Sequence, residues 1–201
     1  MKRPTKAAEG LVTVNEFYRL VPDGQKADLI DGVIYRASPD TEDADDLFGF
    51  VLFLLRGYNW VKKLGGRVFG SRFSFRLTKQ RAPEPDVAYV RRERVHLIRR
   101  REMKGGPDLA VEIVSRDSRT RDYRDKKELY QQAGVAEYWI LDPLKQRVQF
   151  FRLRHGRYEL VPLEDGPIFR SEVLPGFWLD VNWLFAEPLP DGYACLQAIL
   201  Q

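Results

Sequence analysis

The chain has 201 residues, of which 44% are hydrophobic and 12% aromatic, and a formal net charge of +4. This composition excludes a disordered protein and suits one domain with a substantial core. The mildly basic charge permits nucleic-acid binding but does not by itself establish it. The single cysteine, Cys195, excludes an intramolecular disulfide framework and fits a reducing cytoplasm.

No segment of the sequence has the features of a secretory signal or of a membrane span. The basic N-terminus is followed by no apolar region, and the longest apolar stretch, residues 47–55, is too short to cross a bilayer. We therefore expect a soluble cytoplasmic protein. We expect a flexible N-terminal tail over residues 1–12, a single domain over 13–190 and a C-terminal tail over 191–201.

The predicted elements follow from capping, turn and periodicity signals. Residues 13–16 form a capping box, which predicts a helix start, and Asp31-Gly32 predicts a tight hairpin turn. In chain order we predict a helix over 14–20, a hairpin of 27–30 and 33–36, a polar, acidic segment over 38–46, a long helix over 45–64, strands over 68–71, 74–77 and 86–90, a basic surface helix over 91–101, a strand over 109–114, a helix over 122–133, a strand over 138–141, and a hairpin of 149–153 and 158–163. This order predicts a mixed α/β (α+β) fold, with a mixed central sheet flanked by helices and additional hairpins towards both ends.

Glu112 is the most informative residue, because it is an ionisable side chain in an otherwise apolar strand, residues 109–114. Such a strand is covered on both faces, and a carboxylate buried there must be paired, hydrogen-bonded, protonated or bound to a cation. A second acid, Asp86, opens the strand over 86–90. If the two strands are neighbours, both carboxylates lie at the same end of the sheet.

The helix over 122–133 is predicted to turn a lysine towards the core. At about 100° per residue, Lys126 falls in the middle of the apolar stripe of this helix, whereas Lys127 falls at its edge. The stripe consists of Tyr123, Leu129, Tyr130 and Ala133. A lysine in a buried stripe needs an anionic partner. Two acids on neighbouring strands and one such lysine predict a metal-dependent phosphodiesterase site.

Several segments of the sequence, in this order and spacing, resemble one known family. They are Pro85-Asp86-Val87, Pro107-Asp108-Leu109-Ala110-Val111-Glu112-Ile113-Val114-Ser115, Arg121-Asp122-Tyr123-Arg124-Asp125-Lys126-Lys127-Glu128-Leu129-Tyr130 and residues 133–142, with further likeness at residues 27–32 and 174–177. The chain is similar to the Uma2 family, also called DUF820, which is placed among the endonucleases of the PD-(D/E)XK superfamily. The likeness covers nearly the whole chain after the first dozen residues.

The resemblance implies a restriction-endonuclease-like core that cuts nucleic acid, with DNA as the expected substrate and Mg²⁺ or Mn²⁺ as cofactor. It implies that Asp86, Glu112 and the backbone carbonyl of Ile113 bind the metal. In the parent superfamily the lysine lies two residues after the second acid, where this chain has Val114. The resemblance implies that the catalytic residues are Asp86, Glu112 and Lys126. Lys126, on the following helix, would orient the attacking water or stabilise charge on the transition state.

One departure from the family pattern suggests an alternative function. Relatives often carry a histidine in the loop before the long helix, whereas this chain has the acidic segment Asp40-Thr41-Glu42-Asp43-Ala44-Asp45-Asp46. Acids in that position would repel a phosphate backbone. The alternative is a catalytically inactive nucleic-acid-binding or protein-interaction module on the same scaffold.

Basic residues beside the proposed site are candidates for contact with the nucleic-acid backbone. They are Arg116, Arg119, Arg121, Arg124 and Lys127. A homodimer is also expected, since cutting two strands commonly uses two symmetry-related sites.

Three other acids lie near the proposed site, and Glu112 itself has an alternative, structural interpretation. Glu84 and Asp28 could each add a metal ligand, but they are interpreted as surface residues, of a loop and of the hairpin respectively. Asp122 is interpreted as a helix cap. The structural alternative for Glu112 is an ion pair with Lys126 inside the sheet.

Overall fold

The structure, a computed structural model, describes residues 10–39 and 41–201. Residues 1–9 of the predicted N-terminal tail, and Asp40, lie outside the described residues. The helices are α1 (Val14–Leu20), α2 (Glu42–Val61), α3 (Lys127–Gln132) and α4 (Gly192–Leu200). The strands are β1 (Ala27–Ile30), β2 (Val33–Arg36), β3 (Arg67–Phe69), β4 (Ser74–Arg76), β5 (Val87–Val90), β6 (Glu102–Lys104), β7 (Leu109–Ile113), β8 (Glu137–Asp142), β9 (Arg147–Arg154), β10 (Arg157–Leu160), β11 (Ile168–Arg170) and β12 (Trp178–Asp180).

Six strands form the central sheet, in the order β10-β9-β8-β7-β5-β3. β7 and β8 run parallel, and the other neighbours in this sheet run antiparallel. Every residue of β7 and β8 is buried, as expected for apolar strands covered on both faces. The mixed sheet and its flanking helices confirm the predicted α/β class.

The two faces of the sheet support separate hydrophobic clusters. On one face, α2 and the C-terminal segment pack on side chains such as Val111 and Trp139. On the other face, α3 and β1 pack on Ala110 and Tyr138. Because side chains alternate along a strand, Glu112 shares the face of Ala110, so it points towards α3.

Helix α2 begins three residues earlier than predicted and takes in most of the acidic segment. Three acids, Glu42, Asp43 and Asp45, lie in its first turn, where negative charge is stabilised by the free backbone N–H groups of a helix N-terminus. Neither α2 nor any other helix of the described residues combines the length and apolar character needed to cross a membrane.

The region between β5 and β7 differs from the predicted basic helix over 91–101. A shorter 3₁₀-helix spans Arg92–Leu97, and β6 follows it and pairs in parallel with β4. Strands of three residues carry too little periodicity to be recognised, which is why β6 was not predicted.

The predicted C-terminal tail over 191–201 is largely helix α4. The Asp191 side chain caps the helix by accepting a hydrogen bond of 2.8 Å from the Ala194 N–H group. Cys195, Leu196 and Ile199 are buried in the cluster that also contains α2. This segment therefore belongs to the core of the domain.

Candidate active site

Strands β5 and β7 bring Asp86 and Glu112 together, as the sequence predicts. The antiparallel register pairs Val87 with Val111, and continuing it by one residue places Asp86 opposite Glu112. The Asp86 Oδ2 atom accepts a hydrogen bond of 2.7 Å from the Ile113 N–H group. Both acids therefore lie at the same end of the two strands.

Lys126 is buried, with 2% of its surface exposed, and contacts Glu112 directly. Its Nζ donates to Glu112 Oε2 at 2.8 Å, and the other carboxylate oxygen, Oε1, accepts a hydrogen bond of 2.8 Å from the Tyr130 hydroxyl. The same ammonium group lies 2.9 Å from Asp28 Oδ2 and 3.5 Å from Asp122 Oδ1. The structure thus brings the predicted lysine to the predicted glutamate and adds two acids around it.

Lys26, which the sequence analysis missed, is the partner of Asp86. Its ammonium group forms an ion pair and hydrogen bond with Asp86 Oδ1. Among the described residues, Lys126 forms no ion pair with Asp86. The two acids are therefore neutralised by two different lysines.

Asp28 and Glu84 are buried, which corrects their interpretation as surface residues. Their exposed fractions are 6% and 7%. Asp28 Oδ1 accepts from the Glu84 N–H group at 2.8 Å, and Glu84 Oε2 accepts from the Ala27 N–H group at 3.1 Å. The hairpin packs against the segment before β5, and this contact between distant segments removes both carboxylates from solvent.

Asp122 is also buried rather than a solvent-exposed cap. It lies in a π-helix over Arg121–Lys126 that runs directly into α3. The Ser118 hydroxyl donates to Asp122 Oδ2, and the Tyr138 hydroxyl donates to the Asp122 carbonyl at 2.8 Å. The wider turn of a π-helix is common at functional sites, and here both Asp122 and Lys126 face the sheet.

The site holds more negative than positive formal charge. Five carboxylates face two ammonium groups, a formal excess of three negative charges, and the residues are Asp28, Glu84, Asp86, Glu112, Asp122, Lys26 and Lys126. We call these seven residues the acid–lysine cluster. Such an excess in a buried cluster needs protons or a bound cation to offset it.

The pKa values of the acids show how strongly the cluster disfavours this charge. Burial, reinforced by Asp122 and other acids, raises the pKa of Glu112 to about 8 despite the attraction of Lys126. Burial likewise raises the pKa of Glu84 to about 7 and that of Asp122 to about 6. For Asp28, burial opposes ionisation, but the nearby lysines outweigh it and hold its pKa below the ordinary value.

The donor set of the cluster fits a hard divalent cation by chemistry and by charge. Carboxylate oxygens are the ligands that Mg²⁺ and Mn²⁺ prefer, and Asp122 Oδ1 is a buried oxygen with no hydrogen-bond partner. Within the described ranges, no three His, Cys, Asp or Glu side chains already surround one point as metal ligands would. The oxygens of Asp86 and Glu112 instead contact lysine, tyrosine and backbone groups.

A cleft of about 1200 Å³ opens beside the acid–lysine cluster. It lies between the β1–β2 hairpin, α2 and the turn that joins β3 to β4. Lys26 and Asp86 line the cleft, whereas Glu112 and Lys126 lie behind them and do not. The site therefore has an accessible pair at the cleft wall and a buried pair beneath it.

Of the five basic residues predicted to bind nucleic acid, Arg121 lines the cleft, where its guanidinium lies 4.9 Å from the centre of the Tyr35 ring. The other four are not among its lining residues. Arg119 pairs with Asp142 at 3.0 Å, Arg124 pairs with Asp125 at 2.8 Å, Lys127 lies 3.9 Å from the centre of the Phe151 ring, and Arg116 is exposed.

The fold is a mixed six-stranded sheet flanked by helices, with acids on neighbouring strands beside a cleft, an arrangement that restriction-endonuclease-like proteins share. The Uma2 family model, described as "putative restriction endonuclease", matches residues 14–182. The chain therefore belongs to the Uma2 family, as its sequence motifs predict, and this membership supports a nuclease.

One solved structure with the same fold is a crystal structure of "a putative nuclease belonging to DUF820" from Anabaena variabilis ATCC 29413. Its TM-score with this chain is 0.70 at 18% sequence identity, and the match covers 87% of this chain and 97% of that chain. A search of curated proteins gave no match.

Proposed function

We propose that the chain is an endonuclease that hydrolyses phosphodiester bonds of nucleic acid. The proposed substrate is DNA, and the proposed cofactor is Mg²⁺ or Mn²⁺. The observation that carries this proposal is the placement of Asp86 opposite Glu112, next to two lysines and an open cleft. The Uma2 membership supports the nuclease class, and the excess of buried carboxylates supports the cation.

Asp86, Glu112 and the carbonyl of Ile113 are the groups that would hold the cation. When bound, it would polarise the scissile phosphate and lower the pKa of an attacking water. The chain's own contribution begins with the orientation of Glu112, which Lys126 and Tyr130 fix by hydrogen bonds to its two oxygens.

The two lysines have different roles in this proposal. Lys126 contacts Glu112, Asp28 and Asp122 and is enclosed by them. In this proposal it therefore acts as a positioning residue, in place of the catalytic role that the sequence predicts for it. Lys26 lies on the cleft wall, where its ammonium group can face a phosphate and stabilise the charge that develops on it.

A plasmid-nicking assay tests the proposal. The purified chain is expected to nick supercoiled DNA in Mg²⁺ or Mn²⁺, to stop in EDTA, and to lose the activity in Asp86→Asn. Metal-independent nicking, or equal nicking by Asp86→Asn, would contradict the assignment of the site.

The inactive binding or interaction module remains the second candidate, and one observation favours it. Asp45 and Asp117 line the same cleft as Asp86 and add negative charge to it. An intact fold that binds nucleic acid without cutting it in either metal would support this candidate. The homodimer and the cytoplasmic location stay predictions.

A further inference from the structure

The cleft beside the site is lined by four arginines, as well as by Lys26 and three acids, Asp45, Asp86 and Asp117. Arg36, Arg56, Arg72 and Arg121 all line it. In the part of the chain that the structure describes, Arg56, Arg72 and Arg121 form no ion pair. Arg72 and Arg121 donate to backbone carbonyls, of Gly24 and Asp117 respectively, each at 2.9 Å.

Some arginines outside the cleft are paired with acids. Arg94 pairs with Asp108 at 3.0 Å and Arg154 pairs with Glu172 at 2.5 Å. Three guanidinium groups that form no ion pair among the described residues, those of Arg56, Arg72 and Arg121, thus share one cleft with the ammonium group of Lys26. Guanidinium groups hydrogen-bond phosphate oxygens in a two-pronged geometry, so the natural ligand of this lining is a phosphate backbone.

The same cleft has an aromatic and apolar wall. Tyr35 and Phe48 are half-buried and both line it, together with Leu52. Aromatic rings in a basic groove are the means by which proteins stack unpaired bases of a single strand. Paired bases inside a duplex are already stacked on each other and do not present their faces to such rings.

The size of the cleft agrees with a single strand. Its volume of about 1200 Å³ is close to the upper limit of pockets that hold one small molecule, about 1,000 Å³. That space exceeds the need of one small molecule and suits a short stretch of an unpaired strand.

We infer that the cleft holds an unpaired strand of nucleic acid, and that the enzyme prefers single-stranded segments, gaps or flaps to intact duplex. Phosphates would lie on Arg56 and Arg72, and bases would lie against Phe48 and against the pair of Tyr35 and the Arg121 guanidinium over its ring, so that the backbone passes Lys26 and Asp86. The inference rests on the proposed function, because it names the substrate class of that same site.

Fluorescence anisotropy in EDTA, where no cleavage is expected, measures the strand preference. The probes are a labelled single-stranded 12-nucleotide DNA of mixed sequence and its blunt duplex. We expect the unpaired strand to bind at least about tenfold tighter than the duplex. The Arg56→Gln/Arg72→Gln variant should lose about tenfold in affinity for the strand and lower the salt slope by roughly two phosphate contacts.

A double variant with the same change in net charge serves as the control. Arg147→Gln/Arg157→Gln removes two exposed arginines that do not line the cleft and should bind the strand nearly as the parent does. Tyr35→Leu removes an aromatic ring without changing charge and should weaken strand binding about fivefold or more, through lost stacking. Thermal unfolding shows whether each variant is folded. If the double variant is unfolded, the test is repeated with the single variant Arg56→Gln.

Two results would overturn the inference: equal or tighter binding of the blunt duplex, or an equal loss in the control and cleft double variants. Either result, with metal-dependent nicking that is lost in Asp86→Asn, leaves the proposed function intact. Conversely, strand binding that depends on Arg56 and Arg72 without cleavage in any metal refutes the nuclease and supports the strand path.

Discussion

The Nζ atom of Lys126 lies 2.8 Å from Glu112 Oε2, although the two residues belong to different elements and are 14 positions apart. The second oxygen of Glu112 accepts a hydrogen bond from the Tyr130 hydroxyl. The carboxylate is therefore held between the positive charge of Lys126 and the neutral hydroxyl donor of Tyr130, two residues that are one helical turn apart. This arrangement fixes its orientation in an apolar strand that could not otherwise hold it.

Replacing Glu112 with Gln is expected to remove at least about 99% of Mg²⁺-dependent nicking, since electrostatic groups at such sites are commonly worth about a hundredfold in rate. The amide has the same size, so the fold should survive. Glu128→Gln, a change on the exposed side of α3, is the matched control and should cut normally. Nicking by the Glu112 variant at the rate of the control would show that this carboxylate is not part of the site.

Replacing Lys126 with Met should lower the free energy of unfolding by about 3–5 kcal/mol, because it leaves buried carboxylates without their cation. Urea denaturation measures the loss. Lys127→Met, at a half-buried neighbour whose ammonium group lies over the Phe151 ring, should cost less than about 1 kcal/mol. Equal losses in the two variants would contradict the central place of Lys126 in the cluster.

Stability should fall as the pH rises from about 5 to 8. Glu112, Glu84 and Asp122 have raised pKa values in the folded state, so the folded chain keeps protons that the unfolded chain has already released. Unfolding then releases protons, and each such group lowers the free energy of unfolding by up to about 1.4 kcal/mol per pH unit. The lowered pKa of Asp28 acts in the opposite sense but only at lower pH.

Urea denaturation at a series of pH values between 5 and 8 tests this trend. Glu112→Gln should flatten it, because the amide does not titrate. Stability that rises with pH across this window would show that the buried acids are ionised in the folded protein.

Replacing Lys26 with Met should tighten Mn²⁺ binding on the order of tenfold, the equivalent of about 1.4 kcal/mol, because it removes the ammonium group that competes for Asp86. Calorimetric titration measures the affinity. We expect the same variant to cut more slowly, since it loses the cation on the cleft wall. Lys79→Met, at an exposed lysine, should change neither quantity, and unchanged or weaker Mn²⁺ binding in the Lys26 variant would be evidence against this competition.

Ending the chain after Pro190 should destabilise the protein by about 5 kcal/mol. The deletion removes Cys195, Leu196 and Ile199 from the core, and each large apolar side chain contributes about 1.5–3 kcal/mol on burial. Removing Gln201 alone is the control and should have no measurable effect in urea denaturation. If the deletion variant were as stable as the control, helix α4 would contribute nothing measurable to the stability of the core.

The sequence predicts those parts of the fold that have long or strongly capped patterns. Helix α1 has the predicted bounds because its capping box involves neighbouring residues, with Glu16 accepting from the Thr13 N–H group at 2.8 Å. Strand β6 pairs with β4 across more than twenty intervening residues, and no local pattern encodes such a pairing. Helix α4 was missed because its nine residues, although apolar, follow a proline-rich segment and resemble a chain end.

The residues of the candidate site also differ in how far the sequence predicts them. Glu112 and Lys126 were found because each interrupts an apolar pattern of known period. The burial of Asp28 was not predicted because this residue lies in a strand of four residues, too short to show that both of its faces are buried. Lys26 lies outside every regular element, and its contact with Asp86 depends on how the hairpin packs against the sheet.

The acid–lysine cluster also constrains the order of events during translation. All five of its acids, Asp28, Glu84, Asp86, Glu112 and Asp122, are synthesised before Lys126. A nascent chain that has not yet released Lys126 from the ribosome cannot bury Glu112 next to its cation. The ion pair between Glu112 and Lys126 must therefore await the emergence of the π-helix, and a prematurely terminated product that ends before this helix lacks both Asp122 and Lys126.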